Sequence, residues 1–186
     1  MNSQEKGTKK PKKTQSNIDF RFMSFFFKIR DIFKSPMIKI EKANIKQGNK
    51  VLDYGCGPGS FAIAAAEVVG SSGKVYAADI NPLAIKKIKK ATLKKGLSNI
   101  ETILTDCNTG LGDNSIDVIL CFDTIHNVDD KESLLKEFHR VLQPDSILAL
   151  DDHHMEEDEI ISKITEGGLF ELSNKKENLY LFIKRK

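Results

Sequence analysis

Apolar runs and amphipathic stretches alternate along most of this chain. KVLDY at 50–54 reads as a buried strand, and FAIAAAEVVG at 61–70 as a helix closed by glycine. VYAADI at 75–80 is a second strand. Asn81 is suited to cap, and Pro82 to open, a helix running through PLAIKKIKKATLKKG to Gly96. NIETILTD at 99–106 and SIDVILCFD at 115–123 give strands three and four. KESLLKEFHRVLQP at 131–144 is a helix stopped by Pro144, and SILALDD at 146–152 is the fifth strand. A helix over EEDEIISKITEGG then leads to LFELS and ENLYLFIKRK, two last strands joined only by the turn NKK.

This order predicts an α/β fold: a single mostly parallel seven-stranded sheet with an antiparallel terminal hairpin strand and helices on both faces. An N-terminal helical segment precedes it. There Phe20, Phe22, Phe25, Phe26, Phe27 and Phe33 mix with Arg21, Lys28, Arg30 and Lys34. A helix over about 20–34 puts Phe22, Phe25, Phe26 and Ile29 on one side. Pro36 breaks it, and a second short helix runs through 36–44 to the turn Lys46-Gln47-Gly48. The chain therefore divides into a disordered basic tail (1–17), a Phe-rich lid or interfacial segment (18–46) and a ligand-binding domain (47–186).

Composition narrows the class without deciding it. The formal net charge of +3 on 186 residues is mild, and its lysine-rich start reads as a solvated tail. No apolar run is long enough to predict a membrane span, and the N-terminus lacks the pattern of a secretory signal. Cys56, Cys107 and Cys121 form no CxxC pair and no even-numbered framework, so a reduced, cytoplasmic setting is expected.

The chemistry gathers at VLDYGCGPGS, residues 51–60, where a strand runs into alternating glycines and then a helix. Backbone N–H groups there can approach a polar ligand closely. A nucleoside-triphosphate loop is excluded by the absence of a following GKS or GKT. The dinucleotide fingerprint also misfits: Ser60 stands where its third glycine belongs, and Asp53 precedes the loop. A carboxylate there suits a cationic group better than a pyrophosphate. Asp79 closes the second strand, where an acid accepts hydrogen bonds from ribose hydroxyls. The ligand reads as a nucleoside with a cationic appendage and no phosphate.

VLDYGCGPGS, VYAADINP, LTDCNTGLGDNSIDVILC and HRVLQPDSI together resemble the motifs of the class I S-adenosylmethionine-dependent methyltransferases, over roughly 48–184. PDS stands where that family usually has PGG. The resemblance implies S-adenosyl-L-methionine as cofactor, its methionine end against Asp53, Gly55, Cys56, Gly57 and Gly59. Ribose falls to Asp79 beside Ile80, and adenine to Asp106 and the backbone of Cys107, with Cys121 also near. The fourth-strand region DTIHNVDD is similar to the ubiquinone/menaquinone-biosynthesis type, which implies a small or lipid-like acceptor.

Methyl transfer needs the acceptor held in line, and a neutral acceptor also needs a base. His126 and His153, each with a carboxylate nearby, are the candidate bases, with Asp123 as a third catalytic candidate. The same His and Asp residues are not expected to bind metal, because consecutive residues do not all converge on one ion. Thiol chemistry on a soft acceptor such as arsenite is a lesser reading of the three cysteines. Stretch 20–34 is either a lid or a peripheral membrane contact. A protein or RNA methyltransferase, or a non-catalytic cofactor-binding partner subunit, are the alternatives; nucleic acid is not the expected partner. Oligomeric state is not legible.

Overall fold

The computed structural model describes residues 35–185. The basic tail 1–17 and the Phe-rich stretch 20–34 therefore lie outside the described residues. Among the described residues one helix precedes the sheet: α1 (Pro36–Lys42), capped by the Ser35 hydroxyl and opened by Pro36. Seven strands follow, β1 (Lys50–Tyr54), β2 (Lys74–Asp79), β3 (Ile100–Leu104), β4 (Ile116–Phe122), β5 (Leu142–Asp151), β6 (Phe170–Lys176) and β7 (Leu179–Lys184). Between them lie α2 (Ser60–Val69), α3 (Pro82–Lys95), α4 (Lys131–Val141) and α5 (Glu157–Thr165).

The strands form one sheet in the order β3-β2-β1-β4-β5-β7-β6. The first five are mutually parallel, and β7 is antiparallel to both β5 and β6. Alternate residues of each strand feed opposite cores. Val51, Val75, Val118 and Leu120 meet α1, α2 and Ile88 of α3; Leu52, Ile119, Leu148 and Leu150 meet Leu134 and Phe138 of α4 and Ile160 and Ile164 of α5. Burial on both faces explains why β1 and β4 are apolar runs rather than alternating patterns. Among the described residues no helix is long and apolar enough to cross a membrane.

Two boundaries differ from expectation. The helix read as ending at Pro144 ends at Val141, and β5 begins directly at Leu142, which pairs with Ile116. A register shift between Ile116 and Val118 lets Pro144 sit in the strand, where its missing N–H disturbs no regular ladder. The NKK segment is not the hairpin turn. It belongs to β6, and Glu177-Asn178 makes the turn, with Glu177 at φ 57. Lys42 of α1 pairs with the Glu177 carboxylate, and Lys176 donates to the Lys42 carbonyl, so the hairpin tip is fastened to α1.

Strand order reverses between β1 and β4. The loops leaving the carboxyl ends of those two strands flank a crevice, the usual ligand position in open α/β sheets.

Candidate active site

The glycine loop is built from both sides of this switch point. Gly55 and Cys56 donate backbone N–H bonds to the Ala78 carbonyl of β2, at 2.8 and 3.0 Å. Gly55, at φ 74, also lies against the β4 loop: a Cβ there would come within 2.2 Å of Thr124 Oγ1. Gly59 is crowded by Ile88 of α3 in the same way. Gly57 differs. A Cβ on it would meet nothing nearer than the Gly55 carbonyl oxygen at 4.0 Å, yet its φ of 51 is left-handed. Gly55 and Gly59 are thus explained by packing, and Gly57 keeps an open backbone surface.

Asp53 lies beneath this loop, 2% exposed, accepting from the Ala62 N–H of α2. Its Oδ2 is buried with no hydrogen-bond partner. Burial, with the nearby charge of Asp79 second, pushes its carboxyl up to about 7. Asp79 accepts from Gly57 N at 2.9 Å and Asn81 N at 2.7 Å. Burial raises its carboxyl as well, against those two bonds and a third from the Ile80 N–H. One acid thereby holds the loop and the start of α3, whose cap is Asn81 Oδ1 to Leu83 N at 2.9 Å. Ile80, beside it, is 44% exposed, a large apolar side chain facing solvent at the strand end.

At the end of β3, Asp106 is exposed and Cys107 half-buried, and the Tyr54 hydroxyl donates to the Asp106 carbonyl at 2.9 Å. Tyr54 of β1 therefore fixes the segment that the family resemblance gives to adenine, a tie with no sequence signature. Cys56 is buried beside the loop, its thiol pushed well up by burial and then by Asp53. Cys121 is wholly enclosed in the α4-side core, so it presents no side-chain surface to the crevice.

The ends of β4 and β5 carry a second group. Asp123, at φ 48, accepts from His153 Nδ1 at 2.5 Å and from the His153 backbone N–H. Burial alone would raise the Asp123 carboxyl, but the bonds from His153 and the charges of His153 and Lys39 bring it below its usual range. The His126 ring donates from Nδ1 to the buried Asp152 at 2.7 Å, and its Nε2 is 2.6 Å from the Asn127 amide nitrogen. His154 lies between the pairs, its ring centroid 4.2 Å from that of His126 and 3.8 Å from that of His153. The three candidate catalytic residues thus fall into two histidine–carboxylate pairs, Asp152 being the fourth member. Sequence reading assigned no partner to Asp152 or His154 and missed Lys39 of α1, which reaches Asp151 Oδ1 at 2.7 Å. No cluster able to hold a metal occurs among the described residues.

A family described as "Methyltransferase domain" matches residues 45–183. The chain belongs to this methyltransferase-domain family. Among relatives, a demethylmenaquinone methyltransferase of Staphylococcus epidermidis is 40% identical over 104 residues, 54% of this chain and 42% of that protein. The ubiquinone/menaquinone biosynthesis C-methyltransferase of Azotobacter vinelandii is 27% identical over 187 residues, 86% of this chain and 74% of its own length. The chain spans less than half the length of the demethylmenaquinone methyltransferases it matches. Among solved structures, a SAM dependent methyltransferase from Aquifex aeolicus is 25% identical with a TM-score of 0.73, covering 80% of this chain and 89% of that one. A Methanococcus maripaludis protein, 17% identical, shares the fold over 97% of this chain and 98% of its own at a TM-score of 0.79. The family's sulfonium- and amine-bearing cofactor fits what lies at the switch point, where a buried carboxylate oxygen lacks a partner under a loop whose central glycine is open.

Proposed function

We propose that this chain is an S-adenosylmethionine-dependent methyltransferase acting on a small or lipid-like acceptor, of the quinone-precursor kind named in its relatives. The observation that carries the reading is the unpartnered Oδ2 of Asp53 beneath the glycine loop. A buried carboxylate oxygen without a partner is costly, and a cationic ligand is what offsets that cost.

In this reading Asp53 serves the amino-acid end of the cofactor, with Gly55, Cys56, Gly57 and Gly59 as the loop around it. Asp79 keeps acceptor capacity for ribose hydroxyls while holding Gly57, because each carboxylate oxygen has more than one lone-pair site. Asp106, Cys107 and the exposed Ile80 serve the adenine end. When bound, S-adenosylmethionine supplies a methyl carbon on sulfonium; its bonding pair stays on sulfur as the acceptor's electron pair takes the carbon.

The protein's remaining task is to orient the acceptor and move its proton. Asp123 fixes the His153 ring through Nδ1, which leaves Nε2 as the atom that takes a proton. His153 is the better base of the two, because its side chain is 66% exposed whereas His126 is 20% exposed, with Asn127 at its Nε2. Stretch 20–34 serves as a peripheral membrane contact through which a lipid-like acceptor arrives.

The test is turnover of a short-chain prenylated demethylnaphthoquinol, read as methylated product by mass spectrometry and as released S-adenosylhomocysteine. His153→Gln should lower turnover about a hundredfold or more, the usual scale of general-base catalysis, with cofactor affinity unchanged. Cofactor binding without a methylated product from this quinol, or from any small acceptor of a panel, would sink the reading. Unchanged turnover in His153→Gln would remove His153 from the role.

A further inference from the structure

Lys39 is placed by α1, whose Ile40 and Ala43 are buried in the core against α2. Its side chain leaves the helix toward the carboxyl ends of β4 and β5. Nζ lies 2.7 Å from Asp151 Oδ1, 5.5 Å from the ring centroid of Phe61 and 5.1 Å from that of Phe122. Those rings meet edge to face at 4.8 Å. The lysine side chain is still 31% exposed, while that of Asp151 is 11% exposed. An ammonium is thus held over an aromatic corner, backed by a carboxylate and open on its remaining side.

A tether for α1 would be the simplest purpose of this ion pair, but α1 is already fastened. Its apolar face is buried, Lys42 pairs with Glu177, and Lys176 bonds the Lys42 carbonyl and Asn44 Oδ1. An ion pair that desolvates two charges adds little stability to such an arrangement. Its position is the informative part. Lys39, Asp151, Asp123 and His153 form one electrostatic group, because Lys39 acts on both carboxylates and His153 on Asp151. The cation therefore stands beside the candidate base, next to Phe61 at the start of the helix that leaves the glycine loop.

We infer that Lys39 anchors the acceptor through an oxygen anion, a phenolate, enolate or carboxylate borne by a flat ring resting against Phe61. This rests on the methyltransferase reading and narrows its substrate class to acceptors with an acidic oxygen. An acceptor hydroxyl gives its proton to His153, and the oxygen left behind takes a hydrogen bond from the ammonium, which keeps its own protons. A Lys39 held between Asp151 and the acceptor oxygen also disfavours amine acceptors, which bring a like charge to the same place.

The test is fluorescence titration of the S-adenosylhomocysteine-loaded full chain with two probes, a dihydroxynaphthoate anion and a naphthylmethylamine, which is a cation at neutral pH. The wild-type protein should bind the anion at least tenfold tighter than the amine. Lys39→Met should abolish that preference, and Lys39→Arg should restore most of it. Because Lys39→Met leaves a buried acid unpaired, Lys39→Met/Asp151→Asn is measured beside it, and it too should lack the preference. A wild-type preference in that double variant means that Lys39 is structural and overturns the inference. Cofactor binding by calorimetry, without anion preference in the wild-type chain, overturns it while leaving the methyltransferase reading standing. Absence of S-adenosylmethionine binding overturns both.

Discussion

Replacing Asp53 by asparagine should make the ligand-free protein more stable and a poorer binder of S-adenosylmethionine. Asp53 is 2% exposed and one of its oxygens has no partner, so the charged form is the expensive one. Burial first, and the Asp79 charge second, push its carboxyl from 3.8 to about 7. In the unfolded chain the same carboxyl ionises near 3.8. Between those values the folded state binds the proton that the unfolded state has released. Stability from this site is therefore complete below about pH 4 and is lost as pH rises to about 7. A rise of about 3 pK units at 1.36 kcal/mol each amounts to about 4 kcal/mol. Asparagine cannot ionise, so urea unfolding should show Asp53→Asn gaining on the wild-type protein across that window, by up to about 4 kcal/mol at neutral pH. Calorimetry should show the opposite for function. Cofactor affinity should fall tenfold to a hundredfold, the about 1.5–3 kcal/mol of a hydrogen bond to a charged group. In the wild-type chain affinity should rise with pH through about 7, as the carboxylate forms. A stability difference between variant and wild type that does not change with pH, or an unaltered cofactor affinity, would refute the reasoning.

Asp79→Ala should weaken S-adenosylmethionine binding at least tenfold by calorimetry, because it removes the ribose acceptor and frees Gly57 N. Gly55→Ala and Gly57→Ala should fail differently. The first sets a methyl 2.2 Å from Thr124 Oγ1 and should cost several kcal/mol in denaturant unfolding; the second meets open space and should cost about 1 kcal/mol of left-handed backbone strain while lowering cofactor affinity. Deleting residues 1–34 should spare cofactor binding and impair turnover of a lipid-like acceptor or sedimentation with anionic vesicles. If both survive the deletion, that segment has neither role.

What could be read from sequence was what is locally encoded. β1, the glycine loop and α3 are legible because Asp53, the glycines, Asn81 and Pro82 act on neighbours within a few residues. The hairpin turn was misplaced because NKK is polar, and polarity means two things. In β6, whose residues after Phe170 are mostly exposed, it marks an edge strand rather than a turn. The α4–β5 boundary failed because Pro144 suggests a helix stop wherever it follows one. Here it lies within a strand, and the helix had ended before it, at Val141. The acceptor side was half legible. Asp123, His126 and His153 announce themselves at strand ends, but nothing near Lys39 in the chain says that it meets Asp151, 112 residues away. The Tyr54 hydroxyl on Asp106, 52 residues distant, is equally silent.

The strand order also has a consequence in time. The β6–β7 hairpin closes through a two-residue turn, whereas β1 and β4 pair across a long stretch of chain, Lys50 N there donating to Asp117, 67 residues away. Distant parallel pairing gains nothing until its long loop has closed, so the hairpin is expected to form early and the β1–β4 seam late. The crevice lies on that seam, and the carboxylates that furnish it come from β1, β2, β4 and β5. A growing chain can therefore assemble the glycine loop on β2 first, but the histidine–carboxylate half of the site stays incomplete until β5 has been synthesised and docked. Pulse-labelling hydrogen exchange during refolding should find the amides that join β1 to β4, along Val51–Val118 to Asp53–Leu120, protected after those joining β6 to β7.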